Sequence, residues 1–460
     1  MQRSAEKLRA DVERIWRAGV AAMQPERLVP ENVHVDTDWL LIGDDTFDLR
    51  STGRIVIVGA GKAAGAMAIA LENVLGPKIL IEKNVVGLVN VPADCVAATQ
   101  CVELHAARPA AVNEPRPEGV EGTRRILELV SALNSHDMCI CLLSGGGSAL
   151  LPAPVPEISL AEKIHLTRLV SGAGANIEQL NIVRSQLSLV KGGGLARACR
   201  SGTLATVLIS DVLGDSLDII ASGPTVPTKA MAHDALSILE QLDLAREPSL
   251  ENVVNYLRQH GRMFPAANPA STNQDLPRLF YHILGNNAAA VDAAGVEAER
   301  LGYSHAMIAA TKSEGPAEDV GRHLASMALR MRGESGPDCL ISGGEPTVAL
   351  VDETLRGRGG RNQQLALAAL EIIGDCQDIA FLSAGTDGED GPTDAAGALI
   401  TESVASTAKE RRLDAPDFLA RNDAYSFFQK AGGLFITGPT QTNVCDLRVL
   451  AVARDQSHHH

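Results

Sequence analysis

Five short apolar runs in this chain each end in a glycine-centred loop, and that repeated pairing restricts the fold more than any other feature. The loops are Gly59-Ala60-Gly61-Lys62, Ser144-Gly145-Gly146-Gly147-Ser148, Ser210-Asp211-Val212-Leu213-Gly214-Asp215, Ser342-Gly343-Gly344-Glu345-Pro346-Thr347 and Ser383-Ala384-Gly385-Thr386-Asp387-Gly388. A short apolar run that leads through glycine into a helical pattern reads as a strand buried in a parallel sheet. In open α/β sheets the C-terminal rim of the strands is where ligands bind. Glycine there lets backbone N–H groups approach an anion, and the next helix adds the positive end of its dipole. Further glycine clusters at Lys191-Gly192-Gly193-Gly194 and at 357–360 strengthen the case for an anionic ligand.

Strand patterns at 54–58, 85–89, 138–143 and 203–209 alternate with helical ones near 62–74, 119–133, 160–171 and 177–190. Helices near 233–242 and 249–259 follow, and the stretch 263–275, rich in Pro, Ala, Asn and Ser, reads as a linker. The series then restarts, with strands at 281–284, 304–309, 338–342, 347–351, 379–383 and 447–453 and helices at 288–301, 317–331 and 362–373. The strand at 347–351 comes too soon for a crossover and is expected to be antiparallel. The fold class is α/β, with a mostly parallel sheet in a domain at 1–245 and a mixed sheet in a domain at 275–455. The C-terminal segment is a candidate to pack back on the first domain. Residues 456–460 end in His458–His460 and read as a tag remnant.

Acidic residues outnumber basic ones by 56 to 41, giving a formal charge of −15, and aromatics are only 3%. Such a chain lacks both the basic footprint and the stacking platforms of a nucleic-acid binder. No apolar run is read as reaching the ~20 residues of a membrane span, so no membrane partner is expected. The eight cysteines form no CxxC pair, which points to a reducing compartment, and Cys139 and Cys141 read as core residues. Residues 1–23 interleave Glu6, Asp11 and Glu13 with arginines and place Leu8, Val12, Ile15, Trp16, Val20 and Met23 on one stripe. That is a packing helix, not a secretory signal. The expected location is cytoplasmic, with a mitochondrial form as the alternative.

Gly59-Ala60-Gly61-Lys62-Ala63-Ala64 also fits the G-x-G-x-x-A fingerprint, and Glu82 falls about 20 residues on, where a ribose-binding acid is expected. These residues support an alternative reading as an NAD(P)H-dependent reductase. Against it, Lys62 in the first helical turn suits a point charge such as phosphate or carboxylate. The P-loop, protein-kinase, HExxH and GxSxG signatures are absent. Arg356, Arg358 and Arg361 lie in a glycine-rich run that opens a helix, a setting for carboxylate or phosphate recognition. Asp211, Asp215, Asp387, Asp390 and Asp394 lie in loops where one or two carboxylates plus substrate phosphates would suit Mg²⁺.

The segments SGGGSALLPAP (144–154), LNIVRSQLSLVKGGGLA (180–196), SDVLGDSLDIIASGPTVP (210–227), SGGEPTV (342–348), GRGGRNQ (357–363) and GTDGEDGPTDAAGA (385–398) resemble the glycerate kinases with a C-terminal MOFRL domain, in the animal-type branch. The resemblance runs from GAGKA at 59–63 to TGPTQTNVCD at 437–446. It implies two Rossmann-like α/β/α domains facing a cleft, and ATP- and Mg²⁺-dependent phosphorylation of D-glycerate, with 2-phosphoglycerate as product. Hydroxypyruvate reduction is the alternative activity. Gly59, Gly61, Ser144, Gly145, Gly146, Gly147, Ser148, Lys191, Gly192, Gly193 and Gly194 are the expected nucleotide-binding set. Lys62 and Arg361 resemble the family's active-site Lys and Arg, and Asp211 and Asp387 are candidates for Mg²⁺ ligation or for accepting the alcohol proton. Lys62 and Arg361 are expected on an open rim, with little part in folding. A monomer or homodimer acting on a small molecule is expected.

Overall fold

The computed structural model describes residues 3–110, 112, 114–260 and 276–454. The linker read at 263–275 and the tag remnant lie outside the described residues. The chain divides into two compact units. One, the parallel-sheet unit, comprises Pro25–Ser210 and Asp215–Leu284; the other, the mixed-sheet unit, takes the residues up to Gln24, Asp211–Gly214 and Gly285 onward.

The parallel-sheet unit begins with a three-stranded antiparallel meander, β1 (Val33–Asp36), β2 (Trp39–Ile42) and β3 (Asp45–Asp48), which the sequence pattern did not reveal. Its main sheet holds β4 (Ile55–Ala60), β5 (Val86–Pro92), β6 (Val102–Arg108), β7 (Met138–Leu143), β8 (Thr203–Ile209) and β9 (Arg278–Gly285) in the order β6-β5-β4-β7-β8-β9. The pairings of β4 with β5 and β7, of β5 with β6, and of β7 with β8 are all parallel. Counted within the sheet the order is 3-2-1-4-5-6, the doubly wound arrangement, whose ligand crevice opens where the order reverses. That switch point lies between β4 and β7. Every residue of β4, β7 and β8 is buried, which explains their uninterrupted apolar runs. Cys139 and Cys141 are buried free thiols in β7.

The helix after β4, Ala64–Glu82, is apolar along 19 residues, longer than the sequence reading allowed and enough by length to cross a membrane. It breaks at Gly76 (φ +68°) before Pro77, and most of its apolar stretch is buried inside the protein. Helices Leu160–Gly172, Ile177–Gln186, Ala232–Gln241 and Glu251–His260 share a separate apolar core.

The mixed-sheet unit contains β10 (His305–Ala309), β11 (Cys339–Gly344), β12 (Ile379–Gly385), β13 (Gly397–Ile400), β14 (Leu434–Phe435) and β15 (Asp446–Val452), ordered β10-β11-β15-β12-β13-β14. Only β10 and β11 pair in parallel; β15 runs antiparallel between β11 and β12. The C-terminal segment is thus at the centre of the mixed sheet. In place of the antiparallel strand expected at 347–351 there is a single parallel bridge, Pro316 with Thr347, and the Val351 N–H donates to Asn422 Oδ1. Helix Ala5–Ala22 corrects the 1–245 boundary: Leu8, Val12, Ile15 and Trp16 join Val291, Ala294, Leu447 and Val449 in one core. Helices Ala317–Gly333 and Arg361–Ile373 cover the opposite face.

Candidate active-site elements

At the β4–β7 switch point the glycines let backbone meet backbone. A Cβ on Gly59 would lie 2.0 Å from the Leu142 carbonyl oxygen, and one on Gly61, at φ +148°, 2.0 Å from Ser144 Oγ. The two loops therefore zip together: Lys62 N–H donates to Gly145 O at 2.9 Å, Ser144 N–H to Ala60 O at 3.2 Å, and Ala63 N–H to Ser144 Oγ at 2.9 Å. Gly61 N–H goes to Asn90 O and Gly147 N–H to Ser144 O. Gly59, Gly61, Ser144 and Gly147, all in the expected nucleotide-binding set, hold the two loops together. The N–H groups of Gly145 and Gly146 donate to no protein group among the described residues, which leaves them open to an anion. A Cβ on Gly146 would lie 3.5 Å from Arg108 Nη2 and 3.7 Å from Lys62 Cγ, so two cationic side chains flank the loop.

Arg108 ends β6 and is buried. Sequence reasoning missed it because exposed Glu103 and the polar His105 interrupt the apolar pattern of that strand. His105 Nε2 lies 2.8 Å from Glu118 O, a structural contact.

The amides of the glycines after Lys191 are engaged within the protein. Gly192 N–H donates to Ser222 O, Gly193 N–H to Gly223 O and Gly194 N–H to Lys191 O, so all three amides are spent on backbone. The missing side chains of Gly192 and Gly193 admit the segment 226–228; a Cβ on Gly193 would sit 2.5 Å from Pro227 Cα. Lys191 is buried, and its Nζ donates to Ser148 O at 2.9 Å and Ser148 Oγ at 2.8 Å. Arg184 also donates to Ser148 Oγ. Ser148 Oγ lies 3.0 Å from Ser222 Oγ, which donates to Asn181 Oδ1. Ala221 and Ser222 hold left-handed φ values of +51° and +62°, a strained turn that aims Ser222 at Ser148.

The dinucleotide reading fails on geometry. Glu82 is the last residue of its helix and faces Lys78 at 4.0 Å, away from the strand ends. The end of β5, where a ribose acid belongs, carries buried Asn90, whose Nδ2 donates to Leu150 O at 2.7 Å and Thr123 Oγ1 at 3.2 Å.

In the mixed-sheet unit, Arg361 opens its helix as expected but is already engaged. Its Nε and Nη2 grip Asp446 at 2.7 and 3.1 Å, and Nη1 reaches Glu345 Oε1 at 2.7 Å. Burial works against the guanidinium charge, but Asp446 and Glu345 more than offset it and hold the pKa up. Asp446 is fully buried and also accepts from Asn362 Nδ2. Burial raises the Glu345 carboxyl, with Arg361 opposing. Asp390 caps the same helix through the Asn362 and Gln363 amides, and burial pushes it up to about 7 against those bonds. The other two arginines of the run lie elsewhere: Arg356 donates to Val351 O, and Arg358 stacks on Tyr425.

Asp387 follows β12 and accepts from Glu389 N–H, while Asp211, expected in the first domain, groups with the mixed-sheet unit and accepts from Asn443 Nδ2 at 3.4 Å. Cys445 lies near Asp211: burial first, then Glu345, Asp211 and Asp446, raise its thiol. Among the described residues no group of three or more His, Cys, Asp or Glu is arranged to hold a metal. The excess of carboxylates around Arg361 still suits a hard cation held by one or two protein oxygens plus phosphate. Asp394 is a structural partner of the Tyr425 hydroxyl.

The open amides and cations at the switch point of the doubly wound α/β unit suit an anionic ligand, and the acid-rich rim of the mixed-sheet unit suits a cation. The model described as "Domain of unknown function (DUF4147)" matches residues 11–258, and that of the MOFRL family matches residues 338–446. The glycerate kinase of Bos taurus is 34% identical, covering 97% of this chain and 94% of its own. The D-glycerate 2-kinase of Thermotoga maritima is 36% identical over 94% of this chain and 95% of its own. A crystal structure of glycerate kinase from Thermotoga maritima matches with a TM-score of 0.77 at 34% identity, covering 97% of this chain and all of that one. The chain belongs to the glycerate kinase family.

Proposed function

We propose that this chain transfers a phosphoryl group from ATP to D-glycerate with Mg²⁺, giving 2-phosphoglycerate. The observation that carries this reading is the near full-length likeness to glycerate kinases from animals and from Thermotoga maritima. Phosphoryl transfer needs positioning and charge neutralisation more than covalent chemistry. The open amides of Gly145 and Gly146 and the ammonium of Lys62 receive negative charge on the transferring group. Arg361 has three of its five N–H groups committed, which leaves two to meet a carboxylate or phosphoryl oxygen. Asp211 and Asp387 divide two tasks, holding Mg²⁺ and accepting the alcohol proton. When bound, Mg²⁺ supplies charge neutralisation to phosphate oxygens.

A coupled assay tests the reading. ADP release that requires both glycerate and Mg²⁺ is expected, without NADH oxidation by hydroxypyruvate; glycerate-independent turnover would sink it. Phosphorus NMR of the product is expected to show 2-phosphoglycerate, and 3-phosphoglycerate as sole product would overturn the regiochemistry.

A further inference from the structure

Beside the Gly145–Gly146 loop the parallel-sheet unit holds a cavity of about 210 Å³ whose wall carries Lys163, Arg184 and Lys191 around Ser148. Lys163 and Lys191 are only 6% and 2% exposed. All three cations end on neutral oxygens: Lys163 Nζ on Leu187 O at 3.1 Å, Lys191 Nζ on Ser148 O and Oγ, and Arg184 on Ser148 Oγ. None of the three makes an ion pair among the described residues. The one carboxylate lining the cavity, Glu114, is bound at 2.5 Å to Arg168, and both side chains are largely exposed.

Burying cations without counter-charge is unfavourable, and mutual repulsion adds to it. Burial lowers the pKa of all three groups, and Lys163 falls to about 7. A purely structural role explains little, since an aliphatic side chain would fill these positions without that cost. The cost is recovered when a dianion enters, because three donors then converge on it in a site of low dielectric.

We propose that this cavity is a binding site for a phosphate dianion, with Lys163, Arg184 and Lys191 as its ligands. Its size suits one phosphate group with a short substituent. The occupant's source, nucleotide tail or phosphorylated three-carbon acid, rests on the kinase reading; the site itself does not.

Titration calorimetry of the full chain with inorganic phosphate tests it. Saturable binding is expected, weakened at least about tenfold in Lys163→Met and in Lys191→Met, on the scale of a charged hydrogen bond. The melting temperature of both variants without phosphate is expected at or above wild type, since each removes an uncompensated cation. Absence of binding to wild type, unchanged binding in both variants, or loss of folding in both would overturn the proposal. Competition then identifies the source: displacement by ADP assigns the nucleotide, displacement by 2-phosphoglycerate alone the product, and displacement by neither overturns a role in the reaction. Failure of the kinase reading shows separately, as absent glycerate-dependent ADP release with phosphate binding intact.

Discussion

Lys62 and Arg361 carry the same charge in different settings. Lys62 stands on a loop held by backbone hydrogen bonds, and Lys62→Ala should lower kcat/KM by roughly 10²–10³. Arg361 instead neutralises buried Asp446. Arg361→Ala leaves that carboxylate without its guanidinium, at a cost of about 3–5 kcal/mol of stability. The expectation that Arg361 plays little part in folding is therefore corrected, and thermal melts beside steady-state kinetics of Arg361→Ala will show the loss. Lys163 gives a pH signature. It shares the cavity lining with Arg184 and Lys191, and with Arg168 and Glu114. Its folded pKa of about 7 lies below the ordinary 10.5, so between those values the unfolded chain binds the extra proton. Stability should rise with pH across that window, and the rise should be smaller in Lys163→Met, as melts from pH 6 to 10 will show.

At the level of elements, two glycines in neighbouring loops predict opposite outcomes. Gly61→Ala places a methyl 2.0 Å from Ser144 Oγ and 2.7 Å from Ser144 O, against backbone that cannot move without opening the β4–β7 junction. Loss of soluble protein, or a fall of more than about 3 kcal/mol, is expected from such overpacking with strain. Gly146→Ala meets nothing nearer than 3.5 Å and carries only the left-handed penalty at φ +79°, about 1–2 kcal/mol. Denaturant melts of the pair check this. The glycine loops look alike in sequence but differ in what their amides do. Those at 192 and 193 are sealed by Ser222 and Gly223 and that at 194 by Lys191, whereas those at 145 and 146 are open.

At the scale of the whole molecule, the N-terminal helix belongs to a sheet assembled from the far end of the chain. Trp16, 1% exposed and edge-on to Phe435 at 5.0 Å, is central to that core. Trp16→Ala should cost about 3–5 kcal/mol, with hydrogen exchange rising in β12 and β15 and not in β4 and β7. Loss of protection in β4 and β7 instead would refute that division of stability. Much of this organisation was legible in the residues themselves. The apolar runs of β4, β7 and β8, the helix starts at Leu160 and Arg361, and the glycine turns after the strands are written in local pattern, because burial on both faces and tight turns each demand particular residue types. Partnership is not local. That β15 lies between β11 and β12, that Arg361 is clamped by Asp446, and that Lys163 shares a cavity with Lys191 depend on which distant segments fold against one another. Hydrogen-bond satisfaction and burial are properties of those encounters, so tertiary structure alone decided which glycine amides and which cations were left to meet a ligand.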